Sequence, residues 1–406
     1  MDLIFHTLPN GIRMVHCATS SDVAYCGIII NAGSRDELAD EHGIAHFIEH
    51  MFFKGTTKRR AYHILSRLED VGGELNAYTT KEDTAVYASF MREHYSRAVE
   101  ILADIVFSSS FPVTEIEKEK EVVIEEINSY LDNPAEYIFD EFEEQVFSDQ
   151  AIGRNILGER KTIRHIGRKK LLEFISRNYS TDQIVFCSTG KISPGAIIRL
   201  FEKHFSHIPA RYCNKREVKS YSYLPVSTEK KKNTCQNHCI IGNIAFDLHD
   251  KRRMGLFILN NILGGQGLNS RLNLTLREKR GYAYNVESMY NPYTDTGLFS
   301  IYFGTDNRNL EKCIDLTHKE LRRLCHERLG PGQINKARNQ IKGYLLRSYD
   351  NHENMMLSLG KSLLIFGKID SIEEIFKKID SVTADELKET ATVVFNESSL
   401  STLVYK

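Results

Sequence analysis

Apolar positions along the chain change their spacing repeatedly, and each change marks an element. Residues 3–30 alternate in the manner of strands, with "LPNG" as a turn between two of them. At 42–56, "HGIAHFIEHMFFKGT" shifts to helical spacing, with Ile44, Ala45, Phe47, Ile48, Met51 and Phe52 apolar and no proline to interrupt. A second helix, "YHILSRLEDVGG", puts Ile64, Leu65, Leu68 and Val71 on one face and stops at Gly72 and Gly73. "ELNAYTTKEDTAVYASFM" then reads as a two-stranded hairpin. Residues 93–107 and 113–131 are helical, "LDNPAEY" closes the second of these, and more helix runs to about 178. "QIVFCSTG" at 183–190 is a strand.

The order then repeats. "HCIIGNIAF" is a strand, followed by a helix at 252–263, a glycine-rich loop, another helix and strands around 282–304. Helices are expected at 308–326 and 331–348, and "SLSTLVYK" is a final strand. Between the halves, 211–233 is polar and basic with little periodicity. The pattern predicts an α+β chain of two similar domains, 1–210 and 234–406, joined by a 211–233 linker. Each domain is expected to be a mainly antiparallel sheet with helices packed on one face.

Bulk properties narrow the function. With 406 residues, 41% hydrophobic and 26% charged, the chain can bury two sizeable cores. A net charge of −1 gives no electrostatic case for nucleic acid or an anionic membrane. Residues 1–20 have no basic start before an apolar core, and no apolar run approaches the roughly 18–20 residues of a bilayer span. A cytoplasmic location is therefore expected, with reduced thiols for the eight scattered cysteines. Cys235, His238 and Cys239 form a C-x2-H-C cluster, but they run into a strand whose alternate residues face opposite ways, so buried thiols are the better reading.

The first helix carries the chemistry. At about 100° per residue, His46, Glu49 and His50 fall on one arc of roughly 100°. Three ionisable groups on a mostly apolar helix are costly to bury unless something binds them, so they form either a satisfied packed face or part of a metal site. A further carboxylate is available from "EIEKEKEVVIEEINSYL" at 115–131, where Glu119 and Glu126 share a face to within about 20° and Val122, Val123 and Ile127 lie near it. Glu117, Glu121 and Glu125 read as a solvated face with Lys118 and Lys120.

His46-Phe47-Ile48-Glu49-His50 is the inverted H-x-x-E-H pattern, and Glu126 lies 76 residues beyond the second histidine in "EKEVVIEE". With "NAGSRDE", "GGELNAYTTKEDTAVY" and "ILGGQGLNSRLNLTLREKRGYAYNV", the chain resembles the pitrilysin-like (M16) metallopeptidases over nearly its whole length. It is most similar to the half-length branch that includes the mitochondrial processing peptidases. The resemblance implies a zinc-dependent metalloendopeptidase acting on extended or unfolded peptides. His46, His50 and Glu126 would hold one zinc per chain, a set that also accepts Mn or Co. Glu49 would be the general base on the attacking water, and Glu119 would orient a ligand from behind.

By the same resemblance Asn76 and Ala77 belong to an edge strand that meets substrate, and Arg277 and Tyr284 to a pair that hydrogen-bonds the substrate near the scissile carbonyl, with Tyr282 the competitor for the tyrosine. "GGQG" at 264–267 matches a chamber loop in relatives but departs from it at Gln266 and Leu268, and it lacks the features of a phosphate site. A dimer is implied, of two identical chains or with a related one. The family also contains members that serve as non-catalytic scaffolds or peptide-binding partner subunits. These typically lack active-site residues that are all present here.

Overall fold

A computed structural model describes residues 2–213, 216–218, 221–232 and 234–406. Its first sheet contains β1 (Leu3–Thr7), β2 (Arg13–Ala18), β3 (Val23–Ile30), β4 (Glu74–Thr79), β5 (Thr84–Met91) and β6 (Ile184–Gly190). They lie in the order β1-β2-β6-β3-β5-β4, antiparallel except for the β2/β6 pair. The second sheet contains β7 (Ser227–Lys230), β8 (Asn237–Ala245), β9 (Ala283–Pro292), β10 (Gly297–Thr305) and β11 (Ser401–Tyr405). Its order is β7-β11-β8-β10-β9, antiparallel except for β7/β11. Without β1, the first sheet has the same strand order, chain order and parallel pair as the second. The two halves are therefore similar α+β domains.

Both faces of each sheet are covered, which the expectation of helices on one face did not include. In the first, Met14, Ile28, Val86 and Phe186 point into a core built with the helices of the first half. Their neighbours Val15, Ile29, Ala85 and Val185 point the other way and pack against Met355, Met356, Leu359 and Leu363. Those four belong to a helix, His352–Phe366, from the far end of the sequence. The second sheet is treated in kind. Ile241, Phe299, Ile301 and Val404 face a core with that half's own helices. Ile240, Leu298, Leu403 and Tyr405 face Ile138 and Phe142 on the Pro134–Val146 helix of the first half. At Gly242 a Cβ would stand 2.9 Å from the Phe142 ring and 2.2 Å from the Phe299 carbonyl, so only glycine fits under that helix.

The halves thus exchange one helix each. One compact unit comprises 1–128, 154–216 and 346–371, and the other 129–153, 217–345 and 372–406. The contiguous domains 1–210 and 234–406 are corrected accordingly. The expected linker is also shorter: Ser227–Lys230 inside it forms β7, which pairs through its backbone with β11 and needs no apolar side chains to do so. Residues 214, 215, 219, 220 and 233 of that segment lie outside the described residues. Helices at 352–366, 372–381 and 384–394 fill a stretch for which no elements were expected. Among the described residues, no helix is long and apolar enough to cross a membrane.

Candidate metal centre

The H-x-x-E-H stretch lies on the Ile44–Phe52 helix. Ile44, Phe47, Ile48, Met51 and Phe52 are fully buried, which fixes the rotation of the helix and leaves His46, Glu49 and His50 on the remaining face. Its first residue follows Gly43, whose φ of 93° is left-handed and whose Cβ position is blocked 2.8 Å away by the Leu157 carbonyl. Glycine offers no capping side chain. The buried Glu37 supplies one from a distance, accepting from the backbone nitrogens of Gly43 and Ala45, each at 2.9 Å.

Glu126 arrives from the Val113–Leu131 helix, held down by Val123, Ile124 and Ile127. Val122, expected beside them, is 51% exposed and plays no part in this packing. Glu126 Oε2 stands 3.4 Å from His50 Nε2 and 3.8 Å from His46 Nε2. The three ligand atoms lie within 4.8 Å of one another. Donors around a tetrahedral zinc at roughly 2.0–2.1 Å stand roughly 3.3 Å apart, so two imidazoles and a carboxylate at these spacings fit a divalent ion. Among the described residues this is the group suited to a metal, and the Cys235, His238, Cys239 cluster does not form one. Cys239 is buried in the core, while His238 turns to the opposite face and bonds the Tyr302 hydroxyl at 2.8 Å.

Glu119 sits behind His50. Its Oε1 accepts from His50 Nδ1 at 2.8 Å and its Oε2 pairs with Lys54 Nζ at 2.7 Å. Burial alone would lower the basicity of His50, but bonds to Glu119 and Glu126 outweigh it and lift the pKa to about 9. His46 is pushed down to about 4, chiefly by burial and then by the charge of His50, against the pull of Glu126. Glu126 is lowered, mainly by its bond to His50. Burial acts to raise Glu119, but its bonds to His50 and Lys54 bring it below the ordinary value.

Glu49 shares the helix but stands apart from the three donors. Burial raises its pKa, opposed by a bond from Thr79 Oγ1 to its Oε2 at 2.5 Å. Thr79 ends β4, the edge strand that carries Asn76 and Ala77. That edge has β5 on one side and no strand on the other among the described residues. Thr79, Lys54 and Glu37 took no part in the sequence expectation. Each was inside a quoted motif, but a hydroxyl, a lysine and a loop carboxylate carry no spacing signal.

Arg277 and Tyr284 lie in the second unit. Arg277 is on a π-helical turn, Asn273–Glu278, and Tyr284 on β9 with 61% of its surface exposed. Tyr282 packs on the core beneath Lys312 Nζ, 5.2 Å from its ring centre, which leaves Tyr284 the freer of the two tyrosines. In the "GGQG" loop, Gly264 is a packing glycine: a Cβ there would stand 2.8 Å from the Ser288 nitrogen.

The sequence also matches known proteins. An uncharacterised zinc protease of Bacillus subtilis is 33% identical over 98% of this chain and 97% of its own length. The family model described as insulinase (peptidase family M16) matches residues 13–160. The chain belongs to peptidase family M16. The model described as the peptidase M16 inactive domain matches 165–341, beginning inside the first half, ahead of β6, and running into the second. An uncharacterised zinc protease of Rickettsia bellii is 34% identical over 93% of this M16 chain and 91% of its own length. The fold is shared with a crystal structure of a protease from Helicobacter pylori, TM-score 0.89 at 19% identity, covering 100% of this chain and 99% of that one. It is also shared with a peptidase M16 inactive domain from Pseudomonas fluorescens, TM-score 0.91 at 16% identity, covering 100% and 98%.

Proposed function

We propose that this M16 chain is a zinc metalloendopeptidase that hydrolyses peptide bonds in extended or unfolded peptides. The observation that carries the reading is the division of labour on one helix: His46 and His50 converge with Glu126, while Glu49 is left out of that set and is held by Thr79. A zinc ion held by His46, His50 and Glu126 would supply Lewis acidity to polarise the carbonyl and acidify water. Glu49 takes the proton from the attacking water at Oε1, the oxygen that Thr79 does not engage, and returns it to the leaving amine. Burial raises its proton affinity toward the range that such a shuttle needs. The free edge of β4 takes up substrate backbone as an added strand, which selects extended chains with little regard to side chains.

Arg277 and Tyr284 are assigned to the scissile carbonyl, a cation and a phenol suited to developing negative charge. We assign them to the site of a second copy of the chain, in a dimer whose members complete each other. The test combines metal analysis with turnover of a quenched peptide. One zinc per chain and activity are expected, with Glu49→Gln keeping the metal and losing turnover by several orders of magnitude, because an amide accepts no proton. A chain that binds zinc and peptide without turnover would be a peptide-binding subunit instead.

A further inference from the structure

Arg216 stands where the chain leaves the first unit; the second resumes at Glu217. Its side chain is 12% exposed and forked onto one carboxylate, Nε and a terminal nitrogen donating to the two oxygens of Asp36 at 2.8 and 2.7 Å. The same terminal nitrogen donates to the Glu82 carbonyl at 2.8 Å, and the other to Asn31 Oδ1 at 3.2 Å. Glu82 Oε1 lies 3.4 Å from this guanidinium and also pairs with Arg35. A guanidinium this enclosed is tolerated only because nearly every donor is matched, and a bidentate fork holds orientation as well as charge.

The neighbouring carboxylate points elsewhere. Asp36 grips Arg216, while Glu37 caps the first turn of the Ile44–Phe52 helix through Gly43 and Ala45. The backbone of the same turn donates from Ser34 and Arg35 to the carbonyls of Thr80 and Lys81, directly beyond the Thr79 that holds Glu49. One short turn therefore bears the linker's arginine on one side and both supports of the candidate centre on the other.

We infer that Arg216 is a positioning residue that couples the interdomain linker to the metal helix through the consecutive pair Asp36 and Glu37. This rests on the metal reading given above. Arg216 anchors the linker at that point, and displacement of its head is passed to the rotation of the helix bearing His46, Glu49 and His50.

The experiment uses the full-length chain, first without metal. In Arg216→Ala, amide exchange at Gly43 and Ala45 should quicken about tenfold, while the amides of Phe299–Phe303 in β10 and of Ile184–Gly190 in β6 keep their protection. Zinc affinity by chelator competition should fall about tenfold, in the range typical of groups that orient a ligand. Glu37→Gln should give a similar loss, and the double variant should be no weaker than the weaker single, because both act on one path. Arg216→Lys keeps the charge without the fork. It should give a partial effect, and it serves if the alanine variant fails to fold. Unchanged exchange at Gly43 and Ala45, acceleration spread through β6, or additive losses in the double variant would each overturn the coupling. If the wild-type chain takes up no zinc, the metal reading fails, and the exchange data on metal-free protein still decide this inference.

Discussion

Replacing Glu119 by glutamine tests whether the group behind His50 governs the metal centre. The amide keeps the shape of the carboxylate, and its oxygen can still accept from His50 Nδ1, now 2.8 Å from Glu119. Its NH2, however, would face the Lys54 ammonium, currently 2.7 Å from the other oxygen, placing donor against donor. A hydrogen bond to a charged group contributes about 1.5–3 kcal/mol, but this one is made with or without the ion. Only the change in its strength on binding enters the affinity. Losing the negative charge behind the imidazole makes Nε2 a poorer donor to a cation and leaves Lys54 unneutralised nearby. Both effects have one sign and together weaken zinc by about 10–100-fold, or about 1.4–2.7 kcal/mol. Lys54→Met has the opposite electrostatic sense: the carboxylate remains and a nearby cation is removed, so zinc should be held as tightly or more so. Chelator competition at one pH and ionic strength reads both variants. Equal zinc affinity in Glu119→Gln and wild type, or a Lys54→Met variant that loses zinc as Glu119→Gln does, would refute the argument.

Four further outcomes are expected. His46→Ala and Arg277→Ala/Tyr284→Phe chains should each be nearly inactive as homodimers and regain peptidase activity when subunits exchange; exchange without recovery would exclude completion of sites between copies. Gly360→Ala should cost about 1–3 kcal/mol in urea unfolding, since its Cβ would stand 2.7 Å from Ile29 and 2.8 Å from Cys187, more than offsetting a helix-propensity gain of about 1 kcal/mol. Gly343→Ala, with nothing within 4 Å, should keep that gain as added stability. His16 is fully buried on β2, and burial depresses its pKa to about 4. Its neutral form is thus favoured in the fold, the unfolded chain binds the proton more readily, and stability should fall by about 2 kcal/mol from pH 7.5 to 5. His16→Gln should remove that share of the acid sensitivity.

The first helix was legible because its chemistry and its packing use different faces: the apolar positions set the period and the three ionisable residues stood out against it. The strands β3, β5, β6, β8 and β10 were legible from their strong apolar content, and the Val113–Leu131 helix from a charged face set against Val123 and Ile127. Destinations were not. Helical spacing runs through Ile138 and Phe142 but does not say that they cross to the other half's sheet, and the helix bearing Met355 and Met356, which crosses the other way, lies where no element was expected. β7 was hidden because "STEK" pairs by backbone alone. Thr79 and Lys54 were hidden because their roles depend on contacts across about 30 and 65 residues of sequence.

The exchanged helices also bear on how the chain is made. A ribosome adds roughly 5–20 residues per second, so β6 is complete roughly 9–35 s before the His352–Phe366 helix has been added. Throughout that interval Val15, Ile29, Val185 and Cys187 have no cover on their face of the sheet. The nascent first half is then a sticky intermediate, a natural client for a holdase, and truncation before residue 366 should produce aggregates instead of a smaller active protein. Separately expressed halves would each lack a wall and carry a spare one, so they should be recovered together or not at all.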